Sequence, residues 1–346
     1  MVSFPIDLKS DTVTKPSAAM RKAMSEAEVG DDVYGEDPTV ARLEHTAAEL
    51  LGKEAALYVT SGTQGNLVSL LTHCGHGDSV IIGRGAHILN FEGGGLCSLG
   101  GIFPIPVDDA SGLPALADLD PAVPDVTNVH FTRARLLCLE NTHNRAGGQA
   151  SAPEKTRALA DWAHGRGLAV HMDGARIFNA AAAFGTNASE MAQGMDSVQI
   201  CLSKGLGAPM GSLICASRDF IERARFWRKK VGGGLRQAGI VAAAGLYALE
   251  HNVARLREDH ENAALIGAIL KNAGITVSSA ARPTNMIYFK AKSAELADAL
   301  RSACLRRGVV FNKSAPDSFR LVTHLDVSRE QAETAAKVIA EEYGSL

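Results

Sequence analysis

The sequence predicts an α/β protein with a mostly parallel central sheet, followed by a smaller C-terminal α+β unit. Two observations carry this expectation. Short β-rich runs alternate with helical stretches through most of the chain, an order that crossover connections turn into parallel strands. From about Gly239 the pattern changes to a long helical region and then to strands and helices in another order.

Taken in order, the expected strands are Ala55 to Thr60 (AALYVT), Asp78 to Ile82 (DSVII), Leu136 to Glu140 (LLCLE), Leu168 to Asp173 (LAVHMD), Val198 to Ser203 (VQICLS) and Ser212 to Ala216 (SLICA). Helix starts are marked between and after them. Asp37-Pro38 sets a cap before a first-turn proline, Ser151 with Glu154 makes a capping-box pattern around Pro153, and Ser328 with Gln331 makes another. The helical region from Gly239 is expected to reach Asn272, with strands at Asn285 to Phe289 and Phe319 to Val322 and helices at Ala294 to Arg307 and Arg329 to Tyr343. The division is placed near residue 250, giving a large domain of residues 1–250, N-terminal segment included, and a small one of residues 251–346.

Composition narrows the function classes. With 346 residues, 46% of them hydrophobic, the chain is long enough for about two packed domains. A formal net charge of −3 supplies no broad cationic field, and neither zinc-finger spacing nor an RNP-like aromatic pattern occurs, so nucleic acid is not an expected partner. No metal site is read. The six cysteines are scattered without a C-x-x-C pair, and most sit in apolar runs, which favours a reducing cytoplasm. Neither a signal peptide nor a run of about 18 apolar residues is seen, so no membrane segment is expected.

Chemistry is expected where strands end, because ligands of α/β proteins gather outside the carboxyl ends of the sheet. The run QICLSKGLGAPMG (199–211) puts Lys204 at such an end. A lysine there either snorkels to the rim or serves as an amine. The run SGTQGN (61–66) opens a helix with small hydroxyl-bearing residues, either a simple cap or a phosphate cradle of free N–H groups. Asp173 in DGAR (173–176) either caps the next turn or offers a carboxylate to a ligand. An amine, a carboxylate and a phosphate cradle at three strand ends have one joint explanation, pyridoxal 5′-phosphate: the amine forms the Schiff base, the carboxylate keeps the ring nitrogen protonated, and the helix terminus takes the phosphate. The G-x-G-x-x-G signature of a dinucleotide fold is not seen.

The motifs IDLKSDTVTKPS, VGDDVYGEDPTV, SGTQGN, AHILNFEGGG, ENTHNRAGG, HMDGARIFNA, CLSKGLGAPMGS, GGGLRQAG and RLVTHLDVS follow one another in order. Together they closely resemble the low-specificity L-threonine aldolase family of the fold-type I pyridoxal-phosphate enzymes. The resemblance implies that Lys204 bonds the cofactor aldehyde, Asp173 pairs with the pyridine nitrogen, Gly62 and Thr63 cradle the phosphate, and His87 stacks on the ring. It further implies that Ser10, Arg176 and Arg320 hold the substrate carboxylate, Arg176 touching the cofactor as well, and that His130 approaches the β-hydroxyl. A homotetramer is implied too, with Tyr34 and Arg236 reaching into a neighbour's site. The implied reaction cleaves β-hydroxy-α-amino acids, L-threonine and L-allo-threonine among them, to glycine and an aldehyde. A phenylserine-type aldolase, an aminotransferase and a cofactor-binding regulator without turnover are the alternatives.

Several residues have plainer expectations. Lys9 stands where the family usually has arginine, and it cannot reproduce a planar fork. Glu140 can simply bond the next loop. His171 is expected to face away from the neighbours of Asp173 and to sit in the core. Arg225, Arg228, Lys229 and Lys230 are expected on a solvated or inter-subunit face, with approach to a phosphate the alternative for Lys229 or Lys230.

Overall fold

A computed structural model describes residues 5–278 and 280–346. The first strands are β1 (Ile6–Asp7), β2 (Ala55–Val59), β3 (Asp78–Gly83), β4 (Phe103–Val107), β5 (Arg133–Glu140), β6 (Ala169–Asp173), β7 (Ser197–Cys201) and β8 (Ser212–Ala216). They are followed by β9 (Val277–Ser278), β10 (Met286–Lys290), β11 (Val309–Val310), β12 (Asn312–Ala315) and β13 (Ser318–Val322). Seven strands form the central sheet in the order β2-β8-β7-β6-β5-β3-β4. β8 runs antiparallel to β2 and β7, and the pairs from β7 through to β4 are parallel. The mostly parallel sheet expected from the alternation is the sheet observed.

Register prepares the site. β5 and β6 pair Glu140 with Asp173, and β6 and β7 pair Asp173 with Gln199, so three polar residues stand side by side across adjacent strands, Glu140 and Asp173 at the strand ends. The strands behind them are buried on both faces, as the continuous apolar runs require. The sequence reading omitted β4, whose FPIPV carries two prolines. It lies at the sheet edge, where a missing N–H costs no ladder bond.

Caps follow the expectation at Asp37, which accepts from the N–H groups of Thr39 and Val40, and at Ser328 with Gln331, a complete capping box. At the helix Pro153–His164 they do not. Pro153 occupies the first turn, so Ala152 is the cap residue, and Ser151 is held instead by Asn141, which bonds its N–H and carbonyl. The long helical region is likewise two helices, Gly239–His251 and Leu256–Asn272.

The smaller unit is a four-stranded antiparallel sheet, β12-β13-β10-β9, packed with the helices Leu256–Asn272, Ala294–Arg306 and Arg329–Ser345. Phe289, Phe311 and Phe319 fill its centre, with ring centroids 4.9 Å apart for Phe289 and Phe319 and 5.2 Å apart for Phe311 and Phe319. One apolar cluster runs from Met20 to Leu256, and a second gathers Leu8 with residues from Ala263 to Ile339. We therefore propose a domain division near residue 250. The N-terminal strand was expected with the larger unit but packs on the smaller one, because β1 pairs with β11; residues 1–4 of that segment lie outside the described residues. Among the described residues no helix is long and apolar enough to cross a membrane.

Candidate active site

The strand ends converge as their register requires. Asp173, buried at the end of β6, accepts a hydrogen bond from the Ala175 N–H at Oδ1 (3.0 Å) and one from Asn66 Nδ2 at Oδ2 (3.0 Å). Asn66 also donates to Glu92 Oε1 (2.8 Å), and the same oxygen meets His87 Nδ1 at 2.9 Å. Burial pushes the Glu92 carboxyl up, while the hydrogen bond that His87 donates to Glu92 raises His87 above the ordinary imidazole value against burial. A carboxylate on Nδ1 leaves Nε2 as the free ring nitrogen, and it has no partner among the described residues. Ligand atoms of His87, Glu92 and Asp173 lie within 4.8 Å of one another, and the Asn66 amide bridges the two acids.

Lys204 follows β7. Its carbonyl accepts from Thr14 Oγ1 (2.9 Å), which fixes the backbone, and its half-buried side chain makes no hydrogen bond or ion pair among the described residues. Its charge reaches two groups: it helps lower Asp11 and opposes protonation of His87. The amine thus has no partner among the described residues and lies within electrostatic reach of Asp11 and His87.

Arg176 is 8% exposed and spends one edge of its guanidinium on Asp11, with Nε and Nη2 at 2.7 and 2.6 Å from the carboxylate. Burial alone would raise Asp11, but the charge and hydrogen bonds of Arg176, with smaller help from Lys204 and Asn285, bring it down to about 2. Arg320 donates to Asn144 Oδ1 (2.9 Å) and to the Lys9 carbonyl (3.2 Å). Lys9 itself pairs with Asp7 at 3.1 Å. Ser10 accepts from the Thr12 N–H at 3.2 Å as the cap of a short 3-10 turn. Glu140 accepts from the N–H groups of His87 (2.7 Å) and Asn144 (2.9 Å), so it ties two site loops together, and burial pushes its carboxyl up.

The helix Gly62–His73 opens with Ser61, whose hydroxyl accepts the Gln64 N–H. The N–H groups of Gly62 and Thr63 precede any helical acceptor and stay available for an anion. Glycine is required here: a Cβ at Gly62 would stand 2.8 Å from Cys201 Sγ, and one at Gly65 would stand 2.8 Å from Gln199 Cγ. The helix end is pressed against β7 for that reason.

Other expected residues stand apart from this network. Tyr34 is 74% exposed, and Arg236, its guanidinium 6.0 Å from the Tyr34 ring, pairs with Asp31 at 2.9 Å. His130 is exposed on a loop, its backbone N–H donating to Asn128 Oδ1 at 3.0 Å. Two expectations are corrected. Arg228 is buried and pairs with Asp32 at 2.9 Å, and Arg225 pairs with Glu44 at 2.7 Å, so the basic run is partly an internal brace. His171 does sit in the core, but it shares a neighbour with Asp173, because strand residues two apart point to one face: its Nε2 meets Asn66 Oδ1 at 3.1 Å. Asn66, Glu92, Asp11 and Asn144 escaped the sequence reading. Each lies inside a motif quoted above, Asp11 in IDLKSDTVTKPS, Asn66 in SGTQGN, Glu92 in AHILNFEGGG and Asn144 in ENTHNRAGG, but none carries a role in that reading.

The residues present fit pyridoxal phosphate. An unpartnered amine suits an aldehyde, a buried carboxylate with both oxygens oriented suits a protonated ring nitrogen, and a glycine-opened helix terminus suits a phosphate.

Comparison with known proteins agrees with this geometry. The chain belongs to the beta-eliminating lyase family, whose pattern it matches over residues 7–292. It is 52% identical over 334 residues to the low specificity L-threonine aldolase of Escherichia coli (strain K12), covering 96% of this chain and 97% of that protein. It is 43% identical over 334 residues to the low-specificity L-threonine aldolase 1 of Arabidopsis thaliana, covering 95% and 93%. Among solved structures, the threonine aldolase of Leishmania major superposes with a TM-score of 0.83 at 20% identity, covering 98% of this chain and 100% of that one. The fold-type I architecture implied by the motifs is the architecture of this chain.

Proposed function

We propose that this protein is a pyridoxal-phosphate-dependent aldolase that cleaves L-threonine and L-allo-threonine, and related β-hydroxy-α-amino acids, to glycine and an aldehyde. One observation carries the reading: the unpartnered amine of Lys204 lies within electrostatic reach of His87 and Asp11, in a cluster where Asn66 links Asp173 to the His87–Glu92 pair. Identity of 52% to a low specificity L-threonine aldolase supports the substrate class.

Lys204, Asp173, Gly62, Thr63 and His87 would hold the cofactor, with Arg236 of a neighbouring subunit added in an assembly. Pyridoxal phosphate supplies an aldehyde that an amine can bond and a protonated ring that accepts the electrons of the broken Cα–Cβ bond. Arg320 holds the substrate carboxylate, with its guanidinium pre-aimed by Asn144 and the Lys9 carbonyl. Arg176 adds a second cation, braced by Asp11, and Ser10 stands beside that brace. Such a clamp fixes which substrate bond faces the ring, and orientation of this kind selects the bond that breaks. His87 takes the β-hydroxyl proton at Nε2, directly or through a water, because Glu92 holds Nδ1 and raises the proton affinity of the imidazole. His130 reaches the hydroxyl from its exposed loop and shares this task.

The exposure of Tyr34 fits a homotetramer in which Tyr34 and Arg236 complete a neighbour's site, and six free cysteines fit a reducing cytoplasm. The test is purified protein given threonine, allo-threonine and phenylserine in turn, with glycine and aldehyde both measured. Equimolar release is expected. Amino-group transfer to an added keto acid without aldehyde release would make the protein an aminotransferase instead.

A further inference from the structure

Behind Asp173 a second set of polar side chains is wholly enclosed. Asn66, His171 and Ser197 are each at most 1% exposed, and nothing in the reaction just described uses His171, Ser197 or His73. Their contacts form a single line. Asn66 Nδ2 donates to Asp173 Oδ2 (3.0 Å) and Glu92 Oε1 (2.8 Å), leaving Oδ1 to meet His171 Nε2 at 3.1 Å. His171 Nδ1 meets Ser197 Oγ at 2.8 Å, and the same oxygen meets His73 Nε2 at 2.8 Å. β6 and β7 pair His171 with Ser197, so the middle of the line is fixed by sheet register.

Chemistry gives the line one direction. Two carboxylates must both receive N–H groups, so the Asn66 amide has one usable orientation and its oxygen faces His171. That oxygen needs a donor, which puts the single imidazole proton of His171 on Nε2. Nδ1 is then an acceptor, so Ser197 O–H donates to it, and Ser197 Oγ in turn accepts from His73 Nε2–H. Burial favours the neutral rings, pushing His171 down to about 4 and His73 to about 3.

We propose that His73, Ser197, His171 and Asn66 are positioning residues for the cofactor site: a one-way hydrogen-bond line whose last member holds Asp173 and Glu92 in fixed orientation, with Asp173 facing the ring nitrogen. This rests on the reading of Asp173 as the ring-nitrogen partner. A purely structural role would require filled space and saturated bonds at His171. The positioning role requires specifically a proton donor toward Asn66.

Three His171 variants separate the two. His171→Gln can place a side-chain N–H where Nε2 stands, His171→Asn mimics only the Nδ1 position, and His171→Leu keeps bulk alone. Loss of the donor lowers kcat roughly tenfold, the scale of one buried hydrogen bond, leaves KM within about twofold, and weakens pyridoxal-phosphate binding to the cofactor-free protein by roughly tenfold. His171→Gln restores both to within about threefold of the parent. Asp173→Asn is measured alongside. If it loses turnover while all three His171 variants match the parent in kcat and cofactor affinity, the line is structural and the proposal falls, with the reading of Asp173 intact. If Asp173→Asn itself keeps turnover, that reading fails and takes the proposal with it. Imidazole nitrogen-15 spectra of the cofactor-free parent protein give a test that needs no variant: the expected His171 form carries its proton on Nε2, and a proton on Nδ1 overturns the direction of the line.

Discussion

The floor and the rim of this site are built on different terms. On the floor, Asp173, Glu92, His87, Glu140, Arg176 and Arg320 each have named partners within one chain, whereas the Lys204 amine has none among the described residues. The residues proposed for the rim, Tyr34, Arg236 and His130, are exposed and held by local contacts or by their own loops. A preorganised floor means that a lost floor residue is felt at once, since its neighbours cannot regroup. The largest effect is therefore expected at the single unpartnered group. Lys204→Ala should lower turnover by more than about a thousandfold, as loss of a covalent nucleophile does, and borohydride should no longer fix the cofactor to the chain. Label found on Lys229 or Lys230 in the parent protein would remove the basis for treating the floor as the reactive part.

How far the comparison was readable beforehand depends on how far apart in sequence the partners lie. Asp173 closes its strand and Lys204 and Gly62 follow theirs, where position alone signals a ligand, and the strands are visible as apolar runs bounded by turns. β4 was not visible, because its prolines suit only an edge and the sequence does not say which strand is the edge. The partners are harder still. Asn66 meets Asp173 across 107 residues and Arg176 meets Asp11 across 165, and nothing in an asparagine or an aspartate announces such a contact. Arg228 reads as one more surface charge in its run, and its buried pairing with Asp32 is a property of the fold that the run does not encode locally.

The next effects sharpen the floor. Asp173→Asn should retain cofactor but lose about a hundredfold in turnover, because an amide supports the protonated ring far less well than an anion does; absorbance of the bound cofactor and steady-state rates check both halves. Arg320→Ala should raise KM by roughly ten- to a hundredfold, the worth of a charge-assisted contact of ~1.5–3 kcal/mol, with a smaller change in kcat. The Asp11–Arg176 brace supplies an acid limit. Asp11 is held at about 2 in the folded chain against a model-peptide value of 3.8, so its stabilisation is fully present above pH 3.8 and is lost as the pH falls through 2. That is worth about 2 kcal/mol. Urea titrations between pH 5 and pH 2 should show the loss in the parent, and Asp11→Asn should show a flatter curve over the same window. Equal slopes would mean that the brace contributes no acid-sensitive stability.

The smallest effect is expected on the rim, and it is the one that tests whether rim and floor are different at all. His130 is exposed, and its loop is fixed through the backbone bond to Asn128 and not through the imidazole. His87 already has a free Nε2 and a carboxylate that raises its proton affinity, so a second base has little left to add to the rate. His130→Phe should therefore change turnover of threonine by no more than about threefold, while His87→Phe, which keeps a ring but removes the nitrogen, should lose substantially more. The diastereomer ratio is the finer measurement. Two imidazoles that approach Cβ from different directions discriminate threonine from allo-threonine even when neither controls the rate, so His130→Phe should shift that ratio although it barely slows cleavage. A loss as large as that of His87→Phe would show that the loop closes over the substrate and belongs to the floor. No change in either rate or ratio would show that His130 is a surface residue, and the proton would then be handled by His87 and Glu92 alone.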